Sequence, residues 1–237
     1  FESGVRFNMN MLYEDRIPLS NTTDFVIFKN NTKYLTPNFA YKDTIPYAAV
    51  AHQAFIISFD ISIKPGQKYI QYPNRKMSLG SNYPTFSLSY TKGIETIFGS
   101  DVNFDKWRFS ISDDKNLKLA GMLKYKAGIG GFLNNKKVFI QDYQHFNGNR
   151  VIRASEYVNS FQLARYYDNS TISSFYAYGH LEHHFNGLLT NKIPLFKRLN
   201  WNLVGGGNAF YVNGKNNYFE VFAGLENILK IFRVDFV

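Results

Sequence analysis

The chain has 237 residues, no cysteine and a net charge of +9, with 18% aromatic and only 19% charged residues. Lack of cysteine excludes disulfides and cysteine-based metal or nucleophile chemistry. No run of about 18 apolar residues occurs, which excludes a membrane-spanning helix.

The order of residues supplies what composition does not. A first strand is predicted over Glu2 to Tyr13, with Val5, Phe7, Met9 and Met11 facing one way and Arg6, Asn8 and Asn10 the other. Residues 20 to 50, with Pro37, Pro46 and many Asn and Thr, read as a long loop with a short hairpin around Phe25 to Phe28. The second strand sets Phe55, Ile57, Phe59, Ile61 and Ile63 outward against Ile56, Ser58, Asp60 and Ser62, and stops at Pro65-Gly66. Tyr69 and Tyr72 follow as interface aromatics. The third strand carries Phe86, Leu88 and Tyr90 on its apolar face and ends at Gly93. The fourth, Asn103 to Ser112, opposes Trp107, Phe109 and Ile111 to Lys106, Arg108 and Ser110. Ser112-Asp113-Asp114-Lys115 is predicted as a turn into a fifth strand bearing Leu117, Leu119, Gly121, Leu123 and Tyr125.

From Gly128 to about Ser174 no period persists, and a stretch of this length is functional or disordered. The sixth strand, Phe175 to Phe185, has Ala177, Gly179, Leu181, His183 and Phe185 on one side and Tyr176, Tyr178, His180, Glu182 and His184 on the other. Three more strands are expected near 199–212, 218–225 and 231–237.

Soluble strands average about five or six residues, and several of these are ten or longer. Long dyad-patterned strands predict an all-β fold, an antiparallel transmembrane β-barrel, with residues 1–237 as a single barrel domain. Phe55, Ile57, Phe59, Phe86, Leu88, Leu117, Leu119, Leu181 and Phe185 are expected to face lipid. Nine strands leave an open edge, and bacterial single-chain barrels have even strand numbers. With Phe1 already inside an alternating segment, we read the chain as a fragment lacking earlier strands and the last one.

Several phrases carry a resemblance. Tyr69-Ile70-Gln71-Tyr72-Pro73-Asn74-Arg75-Lys76, Tyr83-Pro84-Thr85-Phe86, Gly99-Ser100-Asp101, Gln141 through Asn149, His183-His184-Phe185-Asn186-Gly187 and Gly224-Leu225-Glu226-Asn227-Ile228 resemble the barrel part of a Bacteroidota outer-membrane family. That family joins a carboxypeptidase-regulatory-like domain to a barrel of unknown function. It is in turn distantly similar to the outer-membrane assembly and surface-antigen barrels. This resemblance implies a sixteen-stranded barrel, in which the nine strands stand seventh to fifteenth, and the location it implies is the bacterial outer membrane. The segment before the sixth strand then takes the place of a loop that folds into the lumen. The Val-Arg-Gly-aromatic motif of those relatives is missing there, with Arg150 and Arg153 the nearest candidates, so insertase activity is not implied.

Within the segment from 134 to 174, Tyr143, His145, Phe146, Tyr157, Phe161, Tyr166 and Tyr167 are too many aromatics for a solvated loop, and Arg150, Arg153 and Arg165 offer donors. We expect part of it to enter the lumen, with Glu182 pairing to Arg150 or Arg153. An ordered external cap is the alternative. His180, Glu182 and His184 repeat at about 7 Å along a strand, too far apart for one zinc ion, so a polar lumen wall is expected and no metal or cofactor. Gly205-Gly206-Gly207 reads as a bulge or bend within a strand, not a phosphate loop. Asp113-Asp114 is expected as a solvated turn.

No nucleophile elbow occurs, and an enzyme is not expected. The scattered lysines and arginines, such as Lys136, Lys137, Lys192, Lys197 and Arg198, suit outer-membrane lipids and lipopolysaccharide as partners, and other envelope proteins, but not nucleic acid. The function expected is transport, export or assembly of envelope components. A scaffold barrel anchoring a periplasmic domain or partner complex, and a soluble β-sandwich binding module, stand as alternatives.

Overall fold

Alternating side chains give a strand two unlike faces, and strands in register carry those faces unbroken across a sheet. The computed structural model describes residues 4–18, 50–149, 156–164, 169–214 and 217–237. In chain order the strands are β1 (Val5–Arg16), β2 (His52–Ile63), β3 (Lys68–Tyr72), β4 (Arg75–Gly80), β5 (Thr85–Gly93), β6 (Asn103–Asn116), β7 (Met122–Lys137), β8 (Tyr176–His184), β9 (Asn202–Val212), β10 (Tyr218–Ile228) and β11 (Phe232–Phe236). A six-residue helix, α1 (Pro194–Leu199), sits between β8 and β9. The fold is all-β: nine strands form one antiparallel sheet in the order β1-β2-β5-β6-β7-β8-β9-β10-β11, and β3-β4 is a separate hairpin. The sheet does not close, since β1 and β11 do not pair with each other.

Register makes the outer face continuous. Met9 opposes Phe59 and Phe7 opposes Ile61; Ile61 opposes Leu88, Leu88 opposes Phe109, and Phe109 opposes Ile129. The row continues through Ala177 and Tyr211. Exposed Phe7, Met11, Leu88, Leu181, Phe219, Val221 and Phe236 all lie on this face. On β6 the apolar outward residues Trp107, Phe109 and Ile111 are bounded by Asp105 and Asp113, about 26 Å apart along the strand at about 3.3 Å per residue. Tyr90, opposite Trp107, donates its hydroxyl to Asp105 at 2.7 Å, so a polar rim begins where the apolar belt ends.

Phe55, Ile57, Phe59, Phe86, Leu88 and Leu181 stand on this face as expected from their alternation. Leu117 and Leu119 do not. β6 runs on to Asn116, the turn is Leu117 to Gly121, and Leu119 is 88% exposed at its tip. The Leu117 N–H donates to the Gly121 carbonyl at 2.7 Å, and Asn116 Oδ1 accepts the Lys118 N–H at 2.8 Å. Lys118 and Gly121 both take positive φ, and a Cβ on Gly121 would meet the His184 carbonyl at 1.9 Å. The apolar alternation of Leu117 and Leu119 continues the strand pattern by chance across this turn. Asp113 and Asp114 accordingly pair in the ladder with Tyr125 and Lys124 rather than forming the turn.

Phe185 follows the last residue of β8. Residues 69 to 72, expected as isolated interface aromatics, form the first strand of the β3-β4 hairpin. β7 continues through Gly128–Gly131, where the sequence shows no period. Gly205–Gly207 pair in unbroken register on both sides, so no bulge exists there. Gly206 is required by close approach, because a Cβ would meet the Leu181 carbonyl at 2.0 Å and the Phe222 ring at 2.8 Å. The expected hairpin around Phe25 to Phe28 lies outside the described residues.

Candidate functional site

The connections β1–β2, β5–β6, β7–β8 and β9–β10 all leave the same end of the sheet. The β7–β8 connection folds back from that end onto the polar face. It begins on a patch of Ala54, Ile56, Val102, Phe104, Phe132, Val138 and Phe139, all buried. The His52 ring stacks flat on Phe139 at 3.4 Å between centroids. Asp142, also buried, then takes a two-pronged ion pair from Arg16 of β1, at 2.8 and 3.2 Å. Lys106 of β6 donates to the Asp142 carbonyl at 2.9 Å.

Further along, Phe146 stacks on Phe210 at 4.3 Å and Phe161 packs edge-on against the same ring at 5.1 Å, in a cluster completed by Ala164, Tyr176 and Val212. Tyr176 donates to Gln144 at 3.0 Å. Registered opposite Tyr176 and Tyr178 are Gly130 and Gly128, whose missing Cβ atoms leave room for the phenol rings. An aromatic laid over a cross-strand glycine restores the packing that the glycine lacks.

The attachment with the most donors is Glu220 of β10. Its carboxylate accepts the backbone N–H groups of Gln162 at 2.8 Å and Leu163 at 3.0 Å, the Asn208 amide at 2.7 Å and the Tyr218 hydroxyl at 2.7 Å. A buried carboxylate with four donors is fully solvated by protein. Two carboxylates thus fasten the segment in opposite senses, Asp142 from the segment and Glu220 from the sheet.

The residues singled out by spacing divide into two groups. His180 is buried, its Nδ1 2.9 Å from Asn208 Oδ1, under the Phe161 ring. Glu182 and His184 join a separate ionic network: His184 Nδ1 lies 2.8 Å from Glu226, His184 Nε2 lies 3.2 Å from Glu182, and Glu182 accepts from Arg233 of β11. Arg233 also binds Asp235 at 2.9 Å and lies over the Tyr157 ring at 4.7 Å. Burial, then the neighbouring Asp235, pushes the Tyr157 phenol above its ordinary range. Glu182 therefore takes an arginine from a sheet strand. Arg150, Arg153, Arg165, Tyr166 and Tyr167 lie outside the described residues.

Arg16, Asp142 and Glu220 escaped sequence reasoning. Glu220 alone left a signal, as an acid between Tyr218 and Phe222 on the same side of a strand. Among the described residues no group of three His, Asp or Glu side chains is placed to hold a metal ion.

The arrangement is a polar sheet face sealed by an internal segment, opposite an open apolar face. A comparison with curated proteins finds no match. Residues 1–225, nearly the whole chain, match the C-terminal domain of a family of unknown function, DUF5686, and the chain belongs to that family.

Proposed function

We propose that this chain is part of an outer-membrane β-barrel whose polar face lines a lumen partly filled by the described parts of the segment between β7 and β8, and that it serves transport, export or assembly of envelope components without catalysing a reaction. One observation carries the reading: the outward apolar residues of the nine strands register into one uncovered face while the opposite face is covered by the segment between β7 and β8. Lipid accepts the first face and water the second, which is the inside-out pattern of transmembrane barrels. Outer-membrane lipids and lipopolysaccharide are the surrounding partners on this reading, and strands outside this chain complete the barrel.

Planar-bilayer recording on the full-length protein tests it. A plugged lumen gives low or flickering conductance, and Glu220→Ala, which releases the segment's backbone at Gln162 and Leu163, raises it several-fold. A barrel that inserts but stays silent in both forms supports a scaffold role. A protein that stays folded and monodisperse without detergent overturns the membrane reading.

A further inference from the structure

Between the covering segment and the sheet lies a cavity of about 280 Å³ whose floor carries Lys106 and Arg108 of β6 and Lys126 of β7, with Tyr143, His145 and Asn159 above them. A second cavity of about 250 Å³ adjoins it and shares Lys106, Arg108 and Gln144. Among the described residues no carboxylate lines the first, and Asp60, which lines the second, accepts the Ser89 hydroxyl at 2.6 Å. Neighbouring acids are likewise engaged. Asp142 holds Arg16 at 2.8 Å, and Glu156 accepts the Asn159 amide at 2.7 Å, whose own oxygen takes Lys126 at 2.7 Å.

Lys106 is directed to a backbone carbonyl and Lys126 to an amide oxygen, so neither ammonium forms an ion pair among the described residues, and Asp142 and Glu156 act on them only at longer range. Arg108 makes no hydrogen bond or ion pair among the described residues, although cations in a walled site are ordinarily matched by acids. Its planar fork of donors, beside two ammonium groups in a partly enclosed space, is chemistry that suits a tetrahedral oxyanion.

We propose that this cavity binds a phosphate group, with Arg108 as its bidentate donor and Lys106 and Lys126 completing the charge. The phenol rings of Tyr178 and Tyr176, seated over Gly128 and Gly130, wall the first and second cavity respectively. The phosphate can belong to a free phosphorylated solute or to a lipid headgroup, and these sources are separated by experiment.

Full-length protein in zwitterionic detergent at low ionic strength is titrated by calorimetry with inorganic phosphate, with pyrophosphate, and with mixed micelles containing a monophosphorylated lipid. Saturable binding of at least one probe is expected, and about tenfold or more weaker binding in Arg108→Gln, the loss of a charge-assisted contact. Arg6→Gln, on the polar face of β1 away from the cavity, should bind as the parent does. Binding of phosphate or pyrophosphate assigns a free solute, and binding of the lipid alone, weakened by Arg108→Gln, assigns a headgroup. Absence of binding by all three probes, or equal binding by parent and Arg108→Gln, overturns the site. Because Arg108 holds nothing in place, unchanged thermal unfolding of the variant separates loss of binding from misfolding.

Discussion

Single side chains in this sheet take their meaning from the face they occupy. Leu181 sits mid-strand on the apolar face and Leu119 at a turn tip, although each is a leucine in an alternating run. On the barrel reading Leu181→Arg costs about 2 to 4 kcal/mol near the membrane midplane, whereas Leu119→Arg is close to neutral. Urea unfolding in lipid vesicles measures both, and equal losses would contradict the face assignment. His145 provides a second test. Burial is the main cause holding its ring below the ordinary histidine range; the Ile140 carbonyl and Asp142 act against this, and Lys106 with it. The folded ring stays neutral where an unfolded chain would already be charged, so its share of docking stability is complete above about pH 6.5 and declines as pH falls below that. Hydrogen exchange over residues 140–147, corrected for intrinsic rates, should show lower protection at pH 5.5 than at 7.5, and His145→Asn should flatten that difference. Protection independent of pH in the parent would refute the assignment.

At the scale of elements, the covering segment is held by polar ties at its ends and aromatic packing between them. The Arg16–Asp142 pair is two-pronged, with Asp142 buried and Arg16 half-buried. Removing one partner of such a pair costs about 3 to 5 kcal/mol by stranding the other charge. Arg16→Ala should therefore loosen residues 139–146, seen as faster proteolysis there. In a double-mutant cycle with Asp142→Asn, the second change should add little. Additive losses would show that the two residues act independently. Strand alternation made most of these elements legible, because a side chain's face follows from its parity. The β6–β7 turn was misplaced since leucines at 117 and 119 kept parity through residues that had left the ladder. The length of β7 was missed because Gly128, Gly130 and Gly131 have no side chains to show a period.

For the whole molecule, the contiguous apolar face far exceeds the scattered exposure normal for a soluble monomer. Full-length protein refolded without detergent should therefore self-associate, and analytical ultracentrifugation should find a single species only once detergent covers that face. A monodisperse detergent-free protein would mean that another surface covers it.

Sequence by itself determined the all-β class, nine strands, most of them long, in one sheet, and which side of each strand is apolar, because all of these depend on a two-residue period that any register preserves. Tertiary structure alone decided that Glu182 pairs with Arg233, that Asp142 meets Arg16 across 126 positions, and that Glu220 captures the backbone at Gln162 and Leu163. Such pairs depend on strand register and on how an aperiodic segment folds back over a sheet. Apart from the place of Glu220 between Tyr218 and Phe222, neither leaves a local trace, since a buried carboxylate and a solvated one look alike along the chain.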